Sequence, residues 1–474
     1  MTIQQYFSGR GFDTVDTSFY SKIEQWVQWY QGKVKEFHSY KAYNGRRNVT
    51  CERLSLQMAK KVCEDWANLL LNEKVAITIE GQKEQQFIDE VLYNNNFLIK
   101  ANEAQELKAV YGTVAYVPYM ENVAVERETG RVLQGANDVK DIHINYITGD
   151  LIYPLSWENG NIKECGFGSV KVINGIEYFY LQLHLLENGQ YVIENVLFDN
   201  TNGQMMEINN IHAVKGFENM AKKIYTQSTA PLFVIDRMNL VNNIDKNNPM
   251  GIAVFANSID VLKSIDVVFD SYHNEFLLGR KRIMVAEEAL HMNIEGKMTF
   301  DPTDMAFYRL PEGIEQNSKF IHEIDMSLRS EEHETALQNR LNMLSAKCGF
   351  GENHYKFEQG GITTATQVIS ENSSLFRTLK KHEIILEQVI KNIVKILLQL
   401  GNQYLQSNFN ENAEIAIDFD DSIIEDRQTK LNDMRLDVSA GLLKGEYYVA
   451  QKYCVTPEEA KNMMPEEYGI PEEY

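Results

Sequence analysis

A long run of helical periodicity near the end of the chain sets the strictest limit on how this protein can fold. From Ala365 to Leu400 the apolar residues return every three or four positions, which is the spacing of one helix face and not of a strand. Thr364 followed by Gln367 fits a capping box, so we expect the helix to begin there. At about 1.5 Å per residue such a helix is roughly 54 Å long. A small globular domain does not need a rod of this length, so the pattern indicates an elongated part of an assembly.

A polar, glycine-rich segment leads directly into this helix. Residues 348–361 read CGFGENHYKFEQGG. Gly349 and Gly351 do not extend to the G-x-G-x-x-G of dinucleotide-binding turns, because His354 stands where the third glycine would be and a helical pattern precedes the segment. The G-x-x-x-x-G-K-[ST] motif of P-loops is absent from the sequence. The segment therefore predicts a loop without nucleotide chemistry.

Charge and cysteine content narrow the classes of partner. The 474-residue chain is long enough for about three domains. It carries 46 Lys and Arg against 67 Asp and Glu, a formal net charge of −21, which argues against a surface that holds nucleic acid by bulk attraction to phosphates.

The 5 cysteines include no C-x-x-C pair, which favours a reducing compartment over a disulfide framework or a zinc knuckle. No apolar run approaches the ~20 residues of a membrane span, and the start lacks the apolar core of a signal peptide, so we expect no membrane partner.

The first half of the chain divides into a helical part and a strand-rich part. Up to about residue 110 the apolar residues mostly follow helical spacing, with one alternating run at 75–79. From Tyr111 to about Val234 alternating runs predict an antiparallel meander, and Asn188-Gly189 between two of them predicts a tight hairpin. The helical stripes that we expect in the core are Phe19, Ile23, Trp26, Val27 and Tyr30, and then Leu54, Met58, Val62, Trp66, Leu69 and Leu70.

Two helices are predicted on either side of a short strand-rich segment. Asn248-Pro249 has the pattern of a capped helix start, and Gly279 is placed to end that helix. A further helix is predicted over Ser330–Lys347. Between the two helices, residues 283–325 contain strand-like pieces and turns that are too short for a separate domain. This is the outline of a stalk with a tip.

The densest basic cluster, Arg280, Lys281 and Arg282, follows the first of these helices. Two interpretations remain open: the cluster complements the dipole of a solvated helix C-terminus, or it contacts an anion or a partner. After the long helix, Glu414–Phe419 predicts a strand, and the residues from Asp421 onward predict shorter helices. We expect the closing residues 457–474, which are acidic and broken by proline, to be poorly ordered.

Only one group of residues suggests metal chemistry. Clustered carboxylates are the ligands that hard divalent cations prefer, and an acidic patch follows the last predicted strand. We prefer the explanation that the patch marks a strand end and a helix start, with Asp420 or Asp421 as the helix cap, because it has no EF-hand spacing and no neighbouring histidine. The sequence contains neither H-E-x-x-H nor G-x-S-x-G, so we expect no catalytic residues, no cofactor and no metal. The patch consists of Asp418, Asp420, Asp421, Glu425 and Asp426.

Taken in order, these features resemble the portal proteins of tailed bacteriophages, in particular the siphophage gp6-like portal group. The likeness covers nearly the whole chain and rests on the order and spacing of its motifs. The motifs that carry it are RLSLQMAKKVCEDWANLLLNEKV (Arg53–Val75), the helix Ile252–Leu278, TTATQVISENSSLFRTLKKHE (Thr363–Glu383) and IDFDDSIIEDR (Ile417–Arg427).

The resemblance implies a mixed α+β, portal-type fold. Such a fold has a wing of helices and strands, a two-helix stem, a small β clip, a tunnel loop, a long wing helix and a short helical crown. The corresponding segments here are 1–250 for the wing, 251–279 and 330–347 for the stem helices, 280–329 for the clip and its approaches, 348–361 for the tunnel loop, 362–420 for the long helix and a returning wing strand, and 421–474 for the crown and C-terminal tail.

The resemblance also implies a structural, non-enzymatic virion protein, assembled in the host cytoplasm. Portal proteins form homo-oligomeric rings, typically dodecamers, at one capsid vertex, and double-stranded DNA passes through the ring during packaging and ejection. The clip faces the terminase large subunit and later a head-completion adaptor, and the major capsid and scaffolding proteins are further partners. The residues implied to face DNA in the tunnel loop are Gly349, Gly351, Asn353, His354, Lys356, Gly360 and Gly361, and the implied partner contact near stem and clip is Arg280, Lys281 and Arg282.

Three other functions fit parts of the sequence. A tail or baseplate subunit would also be acidic, elongated and non-enzymatic. A metal-dependent nuclease or hydrolase would use the carboxylates between Asp418 and Asp426. A cytoplasmic scaffold built on long helices would lack a ring and would be a monomer or dimer in solution.

Overall fold

The computed structural model shows a chain of helices and antiparallel strands. Its helices are α1 (Ile3–Gly9), α2 (Thr17–Tyr30), α3 (Lys35–His38), α4 (Met58–Leu70), α5 (Gln82–Asn94), α6 (Phe97–Tyr111), α7 (Ile259–Leu278), α8 (Ser330–Lys347), α9 (Ala365–Tyr404), α10 (Arg427–Ser439) and α11 (Gly445–Tyr453). The structure describes residues 1–43, 46–71, 75–121, 123–126, 129–134, 138–200, 204–278, 282–285, 291–292, 298–299, 321–324, 327–356, 365–419, 427–453, 460–461 and 463–464.

The strands form several sheets, and every described pair is antiparallel. They are β1 (Ser39–Tyr43), β2 (Asn48–Glu52), β3 (Ala76–Ile79), β4 (Thr113–Met120), β5 (Ala124–Val125), β6 (Val132–Gln134), β7 (Ile142–Thr148), β8 (Ile152–Glu158), β9 (Asn161–Ile173), β10 (Ile176–Glu187), β11 (Gln190–Asp199), β12 (Met206–Glu207), β13 (Lys223–Tyr225), β14 (Val234–Arg237), β15 (Arg282–Val285), β16 (His291–Met292), β17 (Met298–Thr299), β18 (Ile321–Ile324) and β19 (Ile415–Asp418). The expected mixed α+β class is confirmed.

The predicted antiparallel meander is confirmed, although its strands divide among three sheets. One sheet has the order β12-β11-β10-β9-β8 with β13 paired to β11, a second has the order β14-β4-β7, and the third is the pair β5-β6. The predicted hairpin joins β10 to β11, and its two turn residues, Asn188 and Gly189, have φ angles of 49° and 80°. Positive φ at both positions is what a two-residue turn of type I′ requires, which explains the Asn-Gly pair.

The helix predicted to start at Asn248-Pro249 begins later, at Ile259. The Asn248 side chain accepts a hydrogen bond from the Met250 amide, 2.9 Å away, and so forms a local turn and not a helix cap. Every residue from Met250 to Phe255 is buried, so the apolar residues of this non-helical segment belong to the core and none faces solvent. The helix ends at Leu278, and Gly279 lies outside the described residues.

Other helix predictions agree closely with the structure. The helix Ser330–Lys347 has the predicted bounds, and the long helix starts at Ala365 and runs four residues beyond Leu400 to Tyr404. With 40 residues it is about 60 Å long.

Two features of the N-terminal part differ from the prediction. Leu54 is predicted on the α4 stripe, but it precedes that helix and is exposed. The hairpin β1–β2, within the part expected to be mostly helical, was not predicted.

One large apolar core joins the helices near both ends of the chain. Helices α2, α4 and α6 contribute buried faces to it, and α9 lies against the same core with Leu379, Leu386 and Ile393. A buried ion pair crosses it, because Lys108 Nζ on α6 lies 3.0 Å from the Asp236 carboxylate on β14. No described helix is both long enough and apolar enough to cross a membrane.

Candidate functional site

Helices α7 and α8 pack side by side in opposite directions. Residues near the start of one helix contact residues near the end of the other, and the contacts then step along the pair as an antiparallel register requires. The chain therefore runs in one direction along α7 and in the opposite direction along α8. The hydrogen bonds that fix the register are Arg340 Nε to Ser264 Oγ at 2.6 Å, Ser271 Oγ with His333 Nε2 at 3.2 Å, and Arg329 to the Glu275 carboxylate at 2.7 Å.

A small antiparallel sheet continues the helix pair at its far end. Strand β15, which follows α7, pairs with β18, which precedes α8, and the register runs from Arg282 opposite Ile324 to Val285 opposite Ile321. The sequence outline of a stalk with a tip therefore matches the described residues. Arg282 is the first residue of β15, whereas Arg280 and Lys281 lie outside the described residues.

An exposed ion pair joins the two helices where they meet this sheet. The Arg329 guanidinium contacts both oxygens of the Glu275 carboxylate, with distances of 3.1 Å and 2.7 Å. Hydrogen bonds from Arg329 lower the pKa of Glu275 to about 2. The pair therefore stays charged at any physiological pH, and its bidentate geometry sets the spacing of the helix ends.

The chain leaves α8 through a tight helix-ending turn. The Phe350 amide donates to the Ser345 carbonyl at 3.0 Å and the Gly349 amide to the Ala346 carbonyl at 3.3 Å, which is the hydrogen-bond pattern of a Schellman motif. Gly349 has a φ of +91°, as the position after the helix cap requires. A Cβ atom here would lie only 2.8 Å from Thr378 Cγ2 on α9, so this glycine also permits close packing.

Three aromatic rings stack to hold the residues that follow this turn. Phe350 lies against Trp66 of α4 with centroids 4.8 Å apart, and His354 lies against the other side of Phe350 at 4.4 Å. The Trp66 indole also donates to the Cys348 carbonyl at 3.0 Å. Both Trp66 and Phe350 are buried. We call residues 348–355 the loop root, because these contacts fix them to the core.

Polar contacts complete the loop root. His354 Nε2 lies 3.5 Å from the Asp65 carboxylate, which also binds Lys61 Nζ at 2.6 Å. Burial opposes ionisation of Asp65, but the contacts with His354 and Lys61 outweigh it and lower the pKa of this carboxyl. Burial and the nearby Asp65 carboxylate raise the pKa of Tyr355. The Tyr355 carbonyl accepts from Gln338 of α8 at 2.8 Å, so α4 and α8 both hold the root.

The predicted loop residues differ in their surroundings. Gly349, Gly351 and His354 belong to the packed root, and Gly351 is buried with a φ of +92°. Asn353 is half-buried, and Lys356 is exposed at the end of the root. Gly360 and Gly361 lie outside the described residues. The two described glycines therefore have a conformational role at the helix end.

The residues that contact the loop root could not be identified from the sequence. The sequence places Trp66 in the core but does not show that it contacts the loop root. Trp66 and Cys348, the first residue of the root, are 282 positions apart. One local signal was present: a glycine followed by an apolar residue directly after a helix is typical of a Schellman motif. The sequence Cys348-Gly349-Phe350 fits it.

The acidic patch is only partly described. Asp418 is the last residue of β19, which pairs with β3, while Asp420, Asp421, Glu425 and Asp426 lie outside the described residues. Within the part of the chain that the structure describes, no group of three or more His, Cys, Asp and Glu side chains is arranged to hold a metal ion.

Comparison with known proteins finds a family to which this chain is similar. No curated protein matches the chain. A family model described as phage portal protein, SPP1 Gp6-like, matches residues 12–468, a range that includes the helix pair α7 and α8, the loop root and the long helix α9. The match covers nearly the whole chain, and the chain therefore belongs to the SPP1 Gp6-like family of phage portal proteins.

Proposed function

We propose that this chain forms the portal ring at one vertex of a phage capsid, the channel through which double-stranded DNA enters during packaging and leaves during ejection. Membership of the portal family over residues 12–468 is the observation that carries the proposal. The antiparallel pair α7 and α8 with a sheet at its far end supports it, since a stalk of this kind suits the narrow end of a ring. Twelve copies per ring are expected from the family resemblance.

The parts of the chain are assigned on the same basis. We propose residues 1–250 as wing, α7 and α8 as stem helices, and residues 280–329 as clip with its approaches. Since α7 begins at Ile259, residues 251–258 join the wing core in this assignment. Residues 362–420 provide the long helix and the returning strand β19, and 421–474 the crown and tail.

The tunnel loop divides into two parts in this proposal. Residues 348–355 are its fixed root, because Trp66, Asp65 and Gln338 hold them. Lys356, exposed at the end of the root, is the cation that we assign to the DNA backbone. His354 contributes to root packing, and its charge partner is Asp65. Contact of Asn353, Gly360 and Gly361 with DNA remains a prediction.

The acidic charge of the chain fits a channel in which DNA slides. Each added Lys or Arg contact to phosphate strengthens binding at one position and so slows movement in either direction. An acidic chain, here with a formal net charge of −21, avoids such traps. The chain would act as a structural conduit, while the terminase motor supplies the work of packaging.

The partners follow from the assigned parts. We assign docking of the terminase large subunit, and later of a head-completion adaptor, to the clip beside Arg280, Lys281 and Arg282. The wing would face the major capsid and scaffolding proteins. Assembly would take place in the host cytoplasm, and the ring would remain at the capsid vertex of the virion.

Electron microscopy of the purified full-length chain tests the ring directly. We expect a closed ring with a central hole wide enough for a DNA duplex. A ring or stack without such a hole would indicate a tail or baseplate subunit, and a monomer or dimer would indicate a scaffold protein. Magnesium-dependent DNA cleavage lost in Asp420→Ala and Asp421→Ala variants would indicate the nuclease instead.

A packaging assay tests the loop assignment. The Lys356→Glu variant should form rings of normal mass but package less DNA, because the reversed charge repels phosphate along the path. Lys395→Glu, which reverses an exposed charge on α9, is the matched control and should package normally. Normal packaging by Lys356→Glu would contradict the role assigned to this lysine.

A further inference from the structure

The hairpin β1–β2 is a ribbon with little packing of its own. It is a two-stranded sheet, and within the described residues neither strand pairs with a third strand. None of its strand residues is buried. Isolated two-stranded ribbons are at best marginally stable in water, so a ribbon of this kind normally packs against something else.

The ribbon has one apolar face and one polar face. In its register Tyr40 stands opposite Cys51 and Ala42 opposite Val49, and opposite residues share a face. These four form the apolar face, and none of them is buried. The other face carries Lys41 and Tyr43, the latter 69% exposed. Aromatic and apolar residues bordered by basic ones are the composition found at protein interfaces.

The base of the ribbon is fixed firmly to α7. The Asp266 carboxylate of α7 accepts from the Leu56 amide at 2.8 Å and lies 3.0 Å from His38 Nε2, so one buried group holds the chain on both sides of the ribbon. Asp270, one turn further along α7, accepts from the Leu54 amide at 3.1 Å. The ribbon therefore extends from a rigid base.

The charge of the ribbon is opposite to that of the rest of the protein. Residues 39–52 contain three cations, Lys41, Arg46 and Arg47, and one carboxylate, Glu52, in a chain with a formal net charge of −21. All three cations are exposed. A basic, partly apolar ribbon on an acidic protein is complementary to the surface of another copy of that protein.

We infer that the β1–β2 ribbon is an arm that docks on the acidic surface of a second copy of this chain, the next subunit of the ring. The inference rests on the proposed function, which supplies the second copy. Closed rings use heterologous interfaces, in which one surface of a subunit meets a different surface of its neighbour, and a projecting ribbon on an otherwise acidic chain provides such a pair. Burial of the apolar face stabilises the interface, and the three cations favour an acidic surface as the partner.

Charge reversal tests the arm in the full-length protein. The Arg46→Glu, Arg47→Glu double variant should lower the fraction of chains in rings by about tenfold or more at fixed protein concentration, measured by mass photometry, because like charges oppose each other across an interface. The matched control is Lys22→Glu, Lys215→Glu, which makes the same charge change at two exposed sites outside the ribbon and should leave the ring fraction unchanged. Far-UV circular dichroism should be the same for all three proteins.

Isotope-labelled cross-linking locates the contact. A carbodiimide joins amines to adjacent carboxylates, so rings reassembled from mixed ¹⁴N and ¹⁵N subunits should give a Lys41 peptide linked to an acidic peptide of the opposite label. Lys41 links found only within one label would overturn the inference.

The outcomes separate the arm from the proposed function. Normal rings from the double variant overturn the arm and leave the portal proposal standing. A wild-type chain that never forms rings overturns the portal proposal and the arm with it. If the double variant forms normal rings but loses salt-dependent binding of duplex DNA, the ribbon is a nucleic-acid contact and the inference is wrong.

Discussion

Trp66 on α4 and Phe350, three residues after the end of α8, stack with their planes 27° apart and their centroids 4.8 Å apart. This contact joins the large apolar core to the segment that follows α8. Phe350→Ala should lower the free energy of unfolding by about 3–5 kcal/mol, since it leaves a cavity beside a buried indole. Urea unfolding of the dissociated chain, followed by tryptophan fluorescence, measures the change.

The control for this substitution is Met343→Ala on α8, where the side chain is 58% exposed. It should change the free energy of unfolding by no more than about 0.5 kcal/mol. Equal effects of the two substitutions would mean that Phe350 does not secure the loop root.

Gly349→Ala tests whether the glycine serves backbone conformation, close packing or both. A positive φ costs a non-glycine residue about 1–2 kcal/mol, and the added Cβ would also meet Thr378 Cγ2 at 2.8 Å. Gly216→Ala is a matched control, because Gly216 has a φ of +87° with nothing within 4 Å. We expect the larger loss of stability at Gly349, measured by urea unfolding.

A second substitution separates the two costs at Gly349. Thr378→Ser removes the Cγ2 methyl group, so the Gly349→Ala, Thr378→Ser double variant should recover the part of the loss that crowding causes. No recovery would assign the whole cost to the backbone.

The Asp65 carboxylate makes the loop root sensitive to acid. Its pKa is lowered by His354 and Lys61, so its contribution to stability is present above the ordinary carboxyl pKa and is lost as the pH falls through the lowered value. Asp65→Asn should therefore lower the free energy of unfolding by about 1–2 kcal/mol at neutral pH. The difference in free energy of unfolding between wild type and variant should shrink as the pH falls below the ordinary carboxyl pKa. Urea unfolding at several pH values measures this difference. Asp13→Asn, at an exposed site, should show no such difference.

The ion pair of Lys108 and Asp236 should be costly to break from one side. Asp236→Asn leaves a buried ammonium without its counter-charge, which typically lowers the free energy of unfolding by about 3–5 kcal/mol. Adding Lys108→Met removes that charge and should restore part of the loss. Glu103→Gln in the exposed pair with Lys100 should cost less than about 1 kcal/mol. A double variant as unstable as Asp236→Asn alone would contradict this explanation.

Elements whose structure depends on residues close together in the chain could be predicted from the sequence. Helix α8 has the predicted bounds, and the Asn188-Gly189 turn joins its two strands as predicted, because turn and helix preferences act over a few residues. The start of α7 could not be predicted in this way. Residues 250–255 are apolar because they are buried on all sides, and such a segment resembles a buried helix in sequence.

The candidate site was less predictable than the fold. Its composition indicated a glycine-flanked loop, but the packing of Phe350 and His354 depends on Trp66 and Asp65, which lie far away in sequence. Contacts of this kind leave no periodic signal. The ribbon β1–β2 was missed although the sequence carries a local signal for it, since Asn44-Gly45 separates the two strands and Asn-Gly is typical of hairpins. What the sequence does not show is that α7, more than 200 positions later, fixes the base of the ribbon.

That distance has a consequence for the order of events during synthesis. Asp266 emerges from the ribosome long after the ribbon, with which it makes contacts separated by 210 and 228 positions. Because chains fold from the N-terminus as they are made, the ribbon has no rigid base until α7 has been synthesised and packed. We therefore expect nascent chains on one messenger RNA not to associate through the ribbon until α7, which ends at Leu278, has left the ribosome.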